Sequence, residues 1–147
     1  MKPLKRVRGN DRRIYDNKSN STSSSSSCSI LVLDDELDIV SFIKTALQRT
    51  KHTVFTFTDP VLALEHFKLN SNNYGLVISD IRMPGMNGFE FVKKVKEINS
   101  AVKIFLMSAF EIRDIEFDKV LPNPHLDGFI QKPISSKQLT EIIEKAI

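Results

Sequence analysis

Cysteine is almost missing from this chain of 147 residues: Cys28 is the only one, so no internal disulfide framework exists, and a thiolate zinc site is not expected. Both absences suit a reducing cytosol. No apolar run approaches the roughly 20 residues that cross a bilayer, so no membrane contact is expected. The Arg12-Arg13 pair leads through Ile14-Tyr15-Asp16-Asn17-Lys18 into serines rather than an apolar stretch, which excludes a twin-arginine secretory address. A large excess of either charge is lacking too. The formal net charge is +3 and belongs to one end: residues 1–28 hold seven Lys/Arg against two Asp, and residues 29–147 hold fourteen Lys/Arg against sixteen Asp/Glu. At this length, 41% apolar residues suffice for one ordinary core, and a multidomain enzyme is not expected.

Two segments of different texture follow. Residues 1–28 mix basic residues with the run Ser21-Thr22-Ser23-Ser24-Ser25-Ser26-Ser27, too little apolar surface to offset the entropy of ordering, so a disordered tail is expected there. Residues 29–147 read as one folded domain. Ile30-Leu31-Val32-Leu33 is a continuous apolar run, the mark of a strand buried on both faces, and it ends in Asp34-Asp35-Glu36. Leu37, Val40, Ile43 and Leu47 then recur at helical spacing over 37–49. Val54-Phe55-Thr56-Phe57-Thr58 is a β-branched and aromatic strand, and Asp59-Pro60 supplies an N-cap with proline at the first helical position. Leu76-Val77-Ile78-Ser79 is a second interior strand and again finishes on a carboxylate, Asp80. Beyond a loop shaped by Pro84, Gly85 and Gly88, residues Phe91, Val95 and Ile98 stripe a helix. Residues 102–107 form the fourth strand, ending at Ser108, and Gly128-Phe129-Ile130 the fifth, ending before Lys132-Pro133. The intervening segment 110–126 is expected to hold a helix that stops before Pro122 and Pro124. Ser135 and Gln138 occupy capping-box positions before a last helix whose apolar face carries Leu139, Ile142, Ile143 and Ala146.

Five alternations of strand and helix predict an α/β fold with a parallel sheet, right-handed crossovers and helices on both faces. In such folds ligands bind beyond the carboxyl ends of the strands. That edge collects Asp34 and Asp35 after the first strand, Asp80 after the third, Ser108 after the fourth and Lys132 after the fifth. Carboxylates in such proximity repel one another unless a cation joins them, and several hard oxygen ligands suit Mg²⁺. A carboxylate beside such a metal can attack phosphorus and form an acyl phosphate, with a lysine and a hydroxyl holding the phosphoryl oxygens.

Four blocks in order, Asp34-Asp35-Glu36, Ser79 through Gly88 (SDIRMPGMNG), Ser108-Ala109 and Phe129-Ile130-Gln131-Lys132-Pro133, closely resemble receiver domains of two-component response regulators over about residues 29–147. The resemblance implies a doubly wound, flavodoxin-like sheet of strand order 2-1-3-4-5. It further implies Asp80 as phosphoacceptor, with Asp34, Asp35 and the Arg82 backbone carbonyl completing a Mg²⁺ site. Lys132 would contact the phosphoryl group, Ser108 and Phe129 would form the switch pair, and the Lys132-Pro133 peptide would be cis. The implied partner is a histidine kinase or phosphotransfer protein in the cytoplasm. A downstream protein, or a second copy of the chain after phosphorylation, would meet the face built from segment 110–126, the fifth strand and the last helix. No output domain is expected after Ile147, so the chain would signal by protein contact alone or serve as a phosphorelay intermediate, and it reads as a signalling switch rather than an enzyme.

Simpler readings account for other features. Asp35 alone would be ordinary surface charge, Phe129 alone a core aromatic, and Ser108 alone a small strand-end residue; their joint position carries the inference. His52, His66 and His125 lack metal-ligand spacing and read as structural or surface residues, and Cys28 as inert. A haloacid-dehalogenase-like phosphohydrolase would want its nucleophile in an Asp-x-Asp pattern after the first strand, where this chain has Asp34-Asp35-Glu36, and would need room for a cap. A flavodoxin-like FMN carrier would want a phosphate-cradling loop there, and the acids repel phosphate. Nucleic-acid binding through basic residues 2–18 is not expected beyond weak, non-specific contact.

Overall fold

A computed structural model describes residues 27–109 and 126–147. The elements are β1 (Ser29–Leu33), α1 (Leu37–Ala46), β2 (Thr53–Phe57), α2 (Pro60–Asn70), a 3₁₀ turn (Ser71–Asn73), β3 (Tyr74–Asp80), α3 (Gly88–Ile98), β4 (Lys103–Ser108), β5 (Gly128–Gln131) and α4 (Ser136–Ala146). The helix expected across 110–126 lies outside the described residues but for Leu126, as does the expected tail but for Ser27 and Cys28.

The strands form one parallel sheet in the order β2-β1-β3-β4-β5, as expected. Its two faces can be read along β1, whose successive side chains point to opposite sides. Ile30 and Val32 join Val40, Ile43 and Leu139 in a core shared with α1 and α4. Leu31 and Leu33 join Phe67, Phe91 and Val95 in a core shared with α2 and α3. Burial on both faces is why β1 and β3 read as unbroken apolar runs rather than alternating ones. From β1 the chain passes to β2 on one side and then to β3 on the other, so a crevice opens where the carboxyl ends of β1 and β3 part.

Helix starts follow local chemistry. The Asp59 carboxylate accepts from the Val61 amide with Pro60 in the first turn, and Ser135 with Gln138 forms a reciprocal capping box. A second box, Asn87 with Glu90, opens α3. Each of Ser135→Ala and Asn87→Ala should cost about 1 kcal/mol of unfolding free energy. Urea melts unchanged within error would show that the caps contribute nothing. The helix predicted over 37–49 ends earlier, at Ala46. Leu47 has turned to φ −96°, ψ 1°, and the Thr50 amide and hydroxyl both donate to its carbonyl. Leu47 is nonetheless fully buried, so the apolar spacing outlasts the helix.

Candidate acidic phosphoryl and metal site

Each candidate residue is fixed by a strand end. Asp34 follows β1 and is fully buried; its amide donates to the Phe57 carbonyl at 3.1 Å, and its Oδ1 accepts from the Glu36 amide at 2.9 Å. Asp80 is the last residue of β3 and also buried, while the Ile81 amide after it donates to the Met107 carbonyl of β4. Ser108, at the end of β4, is buried, and its carbonyl accepts from the Lys132 amide at 2.8 Å, which ties the turn after β5 to the end of β4. The Lys132-Pro133 peptide is cis.

The Lys132 side chain enters this pocket with its ammonium among three carboxylates. Nζ lies 2.8 Å from Asp34 Oδ2, 3.3 Å from Asp80 Oδ1 and 3.6 Å from Glu36 Oε1. Asp35 is exposed, yet it, Asp34 and Asp80 each offer a carboxylate oxygen within 4.8 Å of the others. Asp35, Asp80 and Lys132 line a cleft of about 280 Å³ together with Glu36, Arg82, Ser108 and Ala109. A larger groove of about 500 Å³ runs beside β2, but no carboxylate lines it.

Crowding sets the electrostatics. Burial pushes the Asp80 carboxyl up to about 6, the Asp34 charge adds to that, and Lys132 and the Ile81 amide pull partly against it. Burial likewise raises Asp34, tempered by Lys132 and the Glu36 amide. For Lys132, burial alone would favour the neutral amine, but the Asp34 and Asp80 charges outweigh it and hold the ammonium above its ordinary value. One lysine cannot balance three acids. Asp34 Oδ2 is buried and in ion-pair contact with Nζ, yet receives no hydrogen bond. An all-oxygen donor set with an excess of negative charge and such an orphaned oxygen fits a hard divalent cation such as Mg²⁺.

Of the residues predicted from sequence, Asp35, Asp80, Ser108, Lys132 and Arg82 border this one cleft, and Asp34 is buried behind it, 2.8 Å from Lys132 Nζ. Phe129 stands apart from its lining. It pairs with Leu106 in the β4–β5 register, two residues before the Gln131 that pairs with Ser108, and packs half-buried on the α2–α3 core. Glu36, passed over in the motif reading, reaches Lys132; its only signal was its place beside the acid pair. Gly88 was taken as loop-shaping alone, but its amide donates to the Ile81 carbonyl at 2.7 Å, directly behind Asp80.

The histidines hold structural contacts. The Cys28 amide donates to His52 Nδ1 at 3.1 Å, and His66 pairs with the Tyr74 hydroxyl between Phe55 and Phe57; His125 lies outside the described residues. Burial raises the Cys28 thiol, the opposite of an activated nucleophile.

Comparison with known proteins fits this geometry. A putative two-component response regulator of Arabidopsis thaliana is 30% identical over 118 residues, which cover 80% of this chain and 19% of that protein. The alkaline phosphatase synthesis transcriptional regulatory protein PhoP of Bacillus subtilis is 32% identical over 111 residues, 75% of this chain and 44% of that one. The chain thus spans less than half the length of these relatives. Among solved structures, a response regulator receiver domain protein from Clostridium thermocellum superposes with a TM-score of 0.72 at 26% identity, covering 82% of this chain and 94% of that one. Response regulator TrrA of Thermotoga maritima, solved in complex with Mg²⁺-BeF, does so with a TM-score of 0.68 at 31% identity, covering 82% and 99%. The response regulator receiver domain model matches residues 30–144, and this chain belongs to that family.

Proposed function

We propose that the chain is the phosphoacceptor switch of a two-component system. In this reading Asp80 takes a phosphoryl group from the phosphohistidine of a histidine kinase or phosphotransfer protein. The observation that carries it is the buried Asp80 carboxylate, sharing the Lys132 ammonium with Asp34 at the carboxyl edge of the sheet. As the Asp80 oxygen bonds to phosphorus, the bond from phosphorus to the imidazole nitrogen breaks, and the imidazole leaves with that electron pair. Lys132 pairs with the incoming phosphoryl oxygens by charge and Ser108 donates its hydroxyl to them. Asp34, Asp35, Asp80 and the Arg82 carbonyl would hold Mg²⁺, which supplies neutralisation of the charge shared by phosphoryl oxygens and carboxylates. The Thermotoga relative was solved in complex with Mg²⁺-BeF, which supports a Mg²⁺-dependent site here.

Movement of Ser108 toward the phosphoryl oxygens would leave space for Phe129 to turn inward from its half-buried position. Phosphorylation thereby biases two packings of the face that β5 and α4 help to form. A downstream protein or a second copy of the chain would read that face. The only bond changes assigned to the domain are gain and loss of its own phosphoryl group, so it acts as a switch rather than a turnover enzyme. Its place is the cytoplasm, where a kinase presents phosphohistidine; among the described residues no helix is long and apolar enough to cross a membrane.

Intact-protein mass after incubation with acetyl phosphate and Mg²⁺ tests the reading. Wild type should gain one hydroxylamine-labile phosphoryl group, and Asp80→Asn or a chelated sample none. A wild type that gains no mass under these conditions would make the fold a binding module and void the roles given to Asp80, Lys132 and Ser108.

A further inference from the structure

Glu36 stands at the N-cap of α1, yet its side chain caps nothing. It turns instead toward the cleft, 3.6 Å from Lys132 Nζ, while staying 66% exposed. Asp34 and Asp80 grip the same ammonium from the buried side. Among the described residues Glu36 is therefore the one carboxylate partner of Lys132 at the mouth of the cleft, and the role of its main chain is separate: the Glu36 amide, not the carboxylate, supports Asp34.

We infer that Glu36 is a positioning and selectivity residue: through Lys132 and its own charge, it hinders uptake of free anionic phosphodonors and so favours phosphoryl groups delivered by a docked protein. The inference rests on Asp80 being the phosphoacceptor. Two effects act in the same direction. A fixed negative charge at the mouth opposes the approach of a small phosphate ester or anhydride, and the same charge holds Lys132, which must turn to the phosphoryl oxygens. A free acyl phosphate has no other contacts to offset that repulsion. A protein donor does, because its surface binds outside the cleft.

Repulsion of this kind scales with the charge of the donor and is screened by salt, whereas a packing effect does neither. Glu36→Gln keeps size and main-chain contacts and removes no cap. Initial rates of adduct formation on Asp80 would be followed by intact mass with Mg²⁺ present. The donors are acetyl phosphate, a dianion at neutral pH, and phosphoramidate, mainly a monoanion. At low ionic strength the variant should react about three- to tenfold faster than wild type with acetyl phosphate, and by about the square root of that factor with phosphoramidate. Glu36→Lys should react faster still, and both gains should shrink in about 0.5 M KCl. Unchanged rates, equal gains with the two donors, or gains indifferent to salt would overturn the inference while wild-type labelling leaves the phosphoacceptor reading intact. A wild type that neither donor phosphorylates overturns both.

Discussion

Asp80→Asn should raise the unfolding free energy of the metal-free protein by about 1–3 kcal/mol at pH 8, although under the proposed function it should abolish phosphorylation. Asp80 is 7% exposed, and burial together with the Asp34 charge lifts its carboxyl from an ordinary 3.8 to about 6. An acid whose folded pKa is raised binds its proton more tightly folded than unfolded, so stability falls as pH rises from about 4 to about 6, and above that the penalty is complete. Felt in full, it is about 3 kcal/mol. Asparagine keeps the size, removes the charge and leaves Lys132 its 2.8 Å contact with Asp34, so most of the penalty should vanish. Urea melts with a chelator present, at pH 5 and pH 8, check this. The gap between variant and wild type should widen toward pH 8, and a variant no more stable than wild type there would sink the account.

The same repulsion predicts how the domain answers to a divalent cation. An ion that binds the folded carboxylates and not the unfolded chain stabilises by mass action. Destabilisation of the apo form by Asp34 and Asp80 would thus be the counterpart of the proposed cation affinity, with one charge cluster serving both. A fold optimised for stability alone would not bury two carboxylates 2.8 and 3.3 Å from one lysine and leave Asp34 Oδ2 without a hydrogen bond.

Much of this was legible in the sequence because strand ends are legible. The runs Ile30–Leu33 and Leu76–Ile78 are unbroken apolar stretches of the kind that form interior strands, and the first carboxylate after each, Asp34 or Asp80, falls at the sheet's edge. Strand alternation then fixes which edge, and Asp34, Asp80, Ser108 and Lys132 fall together before any distance is known. Asp59-Pro60 and Ser135 with Gln138 are local signals that tertiary packing had no reason to override. What escaped depends on distance rather than on pattern. The early end of α1 is invisible because Leu47 stays buried in a turn and so extends the apolar spacing to a residue that is not helical. Glu36's reach to Lys132 spans nearly the whole domain in sequence, and exposure made it resemble any surface acid. Phe129 was expected beside Ser108, and register does bring the strands together, but which way its ring packs is decided by the α2–α3 core.

Gly88 is the clearest case of a residue whose type is dictated from elsewhere in space, and Gly88→Ala should destabilise the domain by about 3 kcal/mol, the upper part of the range for overpacking. A Cβ at Gly88 would lie 2.2 Å from the Asp80 carbonyl oxygen, 2.9 Å from Ile81 Cα and 3.1 Å from the Asp80 carbonyl carbon. All three are main-chain atoms, so no side chain can swing away; either α3 withdraws and the bond from the Gly88 amide to the Ile81 carbonyl is lost, or the backbone of Asp80 is pushed. Gly85 offers the control within the same loop. It has φ +86° with nothing within 4 Å of a built Cβ, so Gly85→Ala meets strain without collision and should cost about 1 kcal/mol. Urea melts of the two variants should therefore separate clearly. Labelling by acetyl phosphate should also fall in Gly88→Ala under conditions where it is still folded, because the displaced atoms carry Asp80, the proposed phosphoacceptor, while Gly85→Ala should label like wild type. Equal stabilities for the two variants, or full labelling of a destabilised Gly88→Ala, would mean that the start of α3 moves independently of Asp80. The close approach would then serve packing alone.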